Sequence, residues 1–181
     1  MTRRNFTFII SLVSVLVWSC ANQGSTKDKQ VAENKILQED DGTVSLKLDK
    51  AARYSDEVNP SYNTADWDIV ISKPGRFKVW LSSATKDTTD LKYANSVRIN
   101  ISDDHLVADP ACDKIVHNSG DVAYPYFKTE SYMGSLYVSE PGEYNIQVIS
   151  EKVIAKNSGA ITASHIDDTK MMSVILTPMT R

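Results

Sequence analysis

The chain has 181 residues, 41% of them hydrophobic, and carries 20 Lys and Arg against 23 Asp and Glu for a net charge of −3. That length suits one domain, and the acidic balance gives no basic footprint for nucleic acid. Two cysteines and three histidines, with no Cys/His spacing among them, exclude a zinc finger or ribbon.

The N-terminus opens on Arg3 and Arg4, and Phe6 to Val17 is a nearly continuous apolar run of twelve residues. A hydrocarbon core needs about 20, so the run is too short to span one and reads as the apolar region of a secretory signal. Val17-Trp18-Ser19 leads into Cys20, the bacterial lipoprotein arrangement, in which the cysteine is acylated and becomes the new N-terminus. Trp18 departs from the small residues usual just before such a cysteine, which bears on how efficiently the cut is made. Residues 1–19 are thus read as signal and Cys20 as the lipidation site. Several acyl chains hold a protein firmly where one does so marginally, so the expectation is a bacterial envelope membrane, the outer membrane first, facing periplasm or cell surface. Loss of Arg3 and Arg4 leaves 18 basic against 23 acidic residues, a mature net charge of −5. Residues 20–35 follow as a polar stretch without aromatics, which cannot bury enough apolar surface to order itself and reads as a flexible tether.

Residues 36–181 form the predicted folded domain. Its apolar residues alternate at period two: Val44, Leu46 and Leu48; Trp67, Ile69 and Ile71; Phe77, Val79 and Leu81; Val97, Ile99 and Ile101; Tyr144, Ile146 and Val148; Val174 and Leu176. Such alternation marks half-buried strands, and polar turns between them predict an all-β, antiparallel β-sandwich. Ser82 to Leu91 is polar and reads as a loop, and Tyr126 and Phe127 read as opening a strand with their rings inward. Two segments share one pattern, Ser72-Lys73-Pro74-Gly75-Arg76-Phe77 and Ser139-Glu140-Pro141-Gly142-Glu143-Tyr144. Both read as type II turns in which Gly supplies the positive φ, through an internal repeat or through convergence on good turn chemistry. Cys112, left without an intramolecular partner, reads as a loop residue or a small buried hydrophobe.

Ala65-Asp66-Trp67 entering a strand, the first Pro-Gly-x-aromatic strand, Met133-Gly134-Ser135-Leu136-Tyr137-Val138, and the closing Ser173-Val174-Ile175-Leu176-Thr177-Pro178 together resemble the galactose-binding-like jelly rolls. These look like the carbohydrate-binding modules appended to bacterial fucosidases and sulfatases, and the resemblance covers roughly residues 40–178. It implies a jelly roll that engages carbohydrate, although this chain lacks the catalytic domain that such modules usually follow. It also implies a structural calcium held by oxygens near the first strand, where Glu39 and Asp40 stand, beside the plainer reading of a solvated acidic turn.

No catalytic arrangement emerges from the sequence. His105, His117 and His165 lie in no recognised nucleophile or metal motif, and the neighbours in Asp103-Asp104 and Asp167-Asp168 would point to opposite faces of a strand. The expectation is therefore a non-enzyme. Sugar binding would use aromatic faces, and Trp80 is the first candidate because Phe77, Val79 and Leu81 take the other face of its strand. Tyr54, Tyr62 and Tyr124 are candidates on loops, where binding residues concentrate on rigid sandwiches. The expected partner is a glycan. The alternative is an adaptor that docks a protein such as a glycan-processing enzyme.

Overall fold

The computed structural model describes residues 35–153 and 168–179. Residues 1–34, and with them Cys20, lie outside the described residues, as do His165 and Asp167. The described strands are β1 (Ile36–Leu37), β2 (Val44–Lys47), β3 (Ala52–Tyr54), β4 (Thr64–Ile71), β5 (Gly75–Thr85), β6 (Val97–Ile101), β7 (Asp104–Ala108), β8 (Lys114–Val116), β9 (Phe127–Val138), β10 (Gly142–Ile149) and β11 (Thr169–Pro178). Short 3-10 turns at Leu48–Lys50 and Pro60–Tyr62 sit between strands.

Two sheets form a sandwich, as the alternation predicts. Sheet I runs β1-β4-β10-β6-β7, with β3 also on β4, and sheet II runs β2-β11-β5-β9-β8. Every pair is antiparallel except β1 with β4. Counted in chain order, β2, β4, β5, β6, β7, β9, β10 and β11 give sheet orders 1-8-3-6 and 2-7-4-5, the jelly-roll arrangement. The alternating side chains meet between the sheets: Leu46, Phe77, Leu81, Leu136 and Leu176 from sheet II, and Ile69, Ile71, Ile99 and Ile146 from sheet I, are all fully buried. Each stabilises by about 1.5–3 kcal/mol through burial. Trp67 is core, as expected, and its indole Nε1 donates to the Lys47 carbonyl at 2.9 Å, tying β4 of one sheet to β2 of the other.

Both Pro-Gly turns carry the chain between sheets at the same end of the sandwich, but they are not the same turn. Gly75 opens β5 with φ +153 and Gly142 has no positive φ, so neither glycine takes the φ of about +80 that a type II turn requires and the expected turn geometry is absent from both. Phe77 is fully buried, while Tyr144 only packs partly against the core and its hydroxyl donates to the Glu140 carbonyl at 2.7 Å.

Two expectations are corrected. The polar stretch from Ser82 is not all loop, because β5 continues to Thr85 with Ser82, Ser83 and Thr85 fully buried. Thr85 Oγ1 lies 2.7 Å from Thr169 Oγ1, and Ser83 Oγ lies 3.0 Å from the Tyr93 hydroxyl, so hydrogen bonds replace apolar contact at this end of the core. Phe127 opens β9 but is 47% exposed, so its ring does not point inward.

Strand β9 contains the irregularity that shapes sheet II. Val79 pairs with Gly134 but the next residue, Trp80, pairs with Tyr132, leaving Met133 as an extra residue. Met133 is buried, and a Cβ on Gly134 would meet core-facing Leu106, so both residues turn toward the core. This β-bulge resets the alternation of the strand.

Candidate functional site

The bulge puts Tyr132, Ser135 and Tyr137 on the outer face of sheet II together, although Tyr132 and Tyr137 are an odd number of residues apart. Across on β5, Arg76, Lys78 and Trp80 face the same way, giving the rows Arg76–Tyr137, Lys78–Ser135 and Trp80–Tyr132. Rows two residues apart along a strand step by about 7 Å, so the strip is about 13 Å long. Trp80 and Tyr132 make a tilted ring pair, with centroids 5.3 Å apart and planes at 55°. Trp80 is half-buried, Tyr132 is 43% exposed and Tyr137 is 59% exposed. The backbone of Tyr132 is held from the β8 side, its N–H donating to Asp113 Oδ2 at 2.7 Å.

A cleft flanks each end of this strip. One, of about 710 Å³, lies between Pro74, Arg76, Tyr137 and Met179. The other, of about 310 Å³, is bounded by Lys47, Asp121, Lys128 and Ile175, and Ile175 is the cross-strand neighbour of Trp80. Lys128 Nζ holds Asp121 Oδ2 at 2.6 Å, and that contact keeps the Asp121 carboxyl below its ordinary range.

Among the sequence candidates, Trp80 is the one that belongs to this face. Tyr54 is 58% exposed and stands on the outer face of sheet I, since its neighbour Arg53 is paired with core-facing Ala65. Tyr62 is 63% exposed in the 3-10 turn leading into β4, and Tyr124 is 94% exposed in the loop before β9. The four aromatics therefore do not gather into one patch. Tyr132, Tyr137 and Arg76 were not among the sequence candidates, although the alternation already sends Lys78 to the face of Trp80. Trp80 carried a signal by its place in the alternation, but nothing in the local sequence shows the bulge that brings it a partner.

At the loop end beyond Tyr54, Asn63 ties the β3–β4 loop to the segment after β10. Asn63 Nδ2 donates to the Val153 carbonyl at 2.7 Å and its Oδ1 accepts from the Asp56 N–H at 2.8 Å. Lys152 Nζ lies 5.7 Å from the centre of the Tyr93 ring, and burial pushes the Tyr93 phenol above its ordinary range.

Glu39 and Asp40 sit in the turn between β1 and β2, and the donors there do not fit calcium. Gln38 Oε1 accepts from the Ser72 and Lys73 N–H groups at 3.0 and 2.7 Å, while its Nε2 donates to the Gly42 carbonyl at 2.8 Å. The Lys73 ammonium donates to the Asp40 carbonyl, so a side-chain cation already occupies this turn. Among the described residues no three His, Cys, Asp or Glu side chains gather as metal ligands. His105 lies on β7 in sheet I and His117 just after β8 in sheet II, while Asp103 belongs to the hairpin turn between β6 and β7. Cys112 is a half-buried loop thiol, pushed up by burial and by the adjacent Asp113 carboxylate.

Neither a protein-family model nor a curated protein sequence matches this chain. Among solved structures it is similar to an α-L-fucosidase from Vibrio sp. strain EJY3, with 21% identity over 80% of this chain and 24% of that one and a TM-score of 0.60. Lower scores relate it to a Podospora anserina GH26-CBM35 β-(1,4)-mannanase (11% identity, 78% of this chain, 28% of that one, TM-score 0.45) and to the Bacillus thuringiensis Cry4Aa toxin (10%, 82%, 25%, 0.48). The chain spans about a quarter of the length of these proteins. At this identity the fucosidase likeness speaks for the fold, which the strand order establishes independently.

Proposed function

We propose that this protein is a non-catalytic glycan-binding domain, held at a bacterial envelope membrane through a lipidated Cys20. The Trp80–Tyr132 pair carries the reading: two aromatic faces, partly open to solvent, are set side by side on a rigid sheet. Aromatic rings bring large apolar faces at little conformational cost, and the C–H faces of pyranose rings stack on such surfaces. Hydroxyl and amide partners lie at hand in Ser135 and the backbone of the clefts at either end. The fold of the fucosidase segment supports a glycan-associated role. The polar tether would hold the sheet II face clear of the lipid surface to which Cys20 attaches.

Isothermal titration of the mature chain against plant, algal and host polysaccharides tests the proposal. Heat of binding to at least one polymer, lost in Trp80→Ala at unchanged melting temperature, is the expected result. Silence across the panel, or binding indifferent to Trp80→Ala, overturns it.

A further inference from the structure

The outer face of sheet II is the more basic one. It carries Lys47, Arg76, Lys78, Lys128 and Lys170 beside Glu130, whereas the outer face of sheet I carries Asp66, Asp68, Arg98 and a Glu143 paired with Lys35, in a chain whose net charge is −3. Some sheet II cations have partners: Lys128 holds Asp121, Lys114 holds Glu130 at 2.9 Å, and Lys170 Nζ stands 5.2 Å from the centre of the Tyr126 ring. Among the described residues Arg76, Lys78 and Lys47 make no ion pair, though the Asp121 charge reaches Lys47 through space. The Arg76 guanidinium touches Ser135 Oγ at a long 3.4 Å. These cations are aligned with the aromatic strip. Arg76 and Lys78 are the two residues preceding Trp80 on the same face of β5, and Lys47 borders the cleft on the far side of Ile175.

Resting on the glycan reading above, we propose that the ligand is an acidic polysaccharide, bearing carboxylates or sulfates, with a sugar ring on Trp80 and Tyr132 and its anions on Arg76 and Lys78. A neutral glycan gains only ordinary hydrogen bonds from two exposed cations standing two residues apart beside the stacking surface. An anionic one gains charge-assisted hydrogen bonds, and the planar Arg76 guanidinium suits carboxylate or sulfate in bidentate fashion. The strip lies flat within a sheet rather than projecting from a loop, which favours an extended polymer over insertion into an anionic bilayer.

Affinity electrophoresis of the mature chain tests this with matched polymers: polygalacturonate against its methyl ester for carboxylate, dextran sulfate against dextran for sulfate. Retardation by one or both charged polymers and not by their neutral counterparts is expected. Arg76→Ala/Lys78→Ala should weaken it about tenfold or more, and Arg98→Ala, on the outer face of sheet I, should leave it unchanged. Raising salt from about 50 to about 500 mM should weaken it too, since exposed charges are screened within a few ångströms at high ionic strength. Both basic residues are exposed, so the double variant is expected to melt with the wild type. Binding to a neutral polymer that needs Trp80 but survives the double variant overturns the acidic ligand and leaves the glycan reading intact. Equal loss in Arg98→Ala reduces the effect to general charge attraction and overturns the site. Phosphatidylglycerol vesicles bound through Arg76 and Lys78, with no polymer bound, overturn it in favour of a membrane. No binding to either charged polymer overturns the acidic ligand, and silence across the wider polysaccharide panel overturns the glycan reading with it.

Discussion

Replacing Gly134 by Ala probes the bulge on which the outer strip of sheet II depends. Gly134 has φ +124, a conformation that residues with a side chain rarely adopt and that costs them on the order of 1–3 kcal/mol. An added Cβ would also stand 3.2 Å from Leu106 Cδ2 and 3.5 Å from its Cδ1. Leu106 is only half-buried and those are the ends of a flexible side chain, so a shift of a few tenths of an ångström relieves most of this contact. Backbone strain therefore dominates, and the variant should lose about 2 kcal/mol. With a urea slope of about 2 kcal/mol/M, the unfolding midpoint falls by about 1 M at constant slope. Gly142→Ala is the control within the same chain: Gly142 has no positive φ, and its nearest atom, Tyr144 Cε2, lies at an ordinary 3.8 Å. Its midpoint should stay within about 0.5 M of wild type, toward stabilisation if it moves. Equal midpoints for the two variants would refute the reasoning. So would full recovery of Gly134→Ala in a Leu106→Ala background, since that would place the cost in the contact rather than the backbone.

Other consequences follow from the core and the far sheet. Thr85→Val leaves the buried Thr169 hydroxyl without its partner and should cost about 1–3 kcal/mol, as should Thr169→Val. The double variant should cost less than the sum by more than about 0.5 kcal/mol in a denaturation cycle, and simple additivity would contradict the pairing. Trp67→Phe removes the donor to the Lys47 carbonyl between the sheets, for which a loss of about 1–3 kcal/mol is expected, and an unchanged melting temperature would argue that the bond is idle. Burial raises the Asp66 carboxyl above its ordinary range despite the hydrogen bond from Gln147. The folded chain then holds this proton to higher pH than the unfolded chain, so this group makes stability fall as pH rises between the ordinary and raised values. Asp66→Asn should flatten that fall and melt no lower than wild type at pH 7, with a gain kept small by solvent screening. A variant with the same pH slope would show that Asp66 is not its source.

The strands legible in the sequence are those whose two faces meet different surroundings. Trp67 to Ile71, Phe77 to Leu81 and Val97 to Ile101 alternate because one face is sealed between sheets and the other is wet. Beyond Leu81 the contrast disappears: the core-facing positions become Ser83 and Thr85, and outward Ser82 is itself covered, so nothing in composition separates inside from outside. Strand β9 misleads in a different way. Counting back from buried Leu136 and Val138 assigns every even position to the core, Tyr132 included, and sends Tyr137 alone to the surface. The extra residue at Met133 reverses that parity for everything N-terminal to it, so Tyr132 emerges opposite Trp80. The outward turns of Arg76, Trp80 and Tyr137 were thus readable, while that of Tyr132, the ring that completes the pair, was not. A bulge is a choice between two registers of nearly equal local chemistry, decided by Gly134 accepting a positive φ and by Leu106 filling the space beneath it. The feature that assembles the proposed binding strip is therefore a property of the strand pair, and a periodicity read along one strand passes over it.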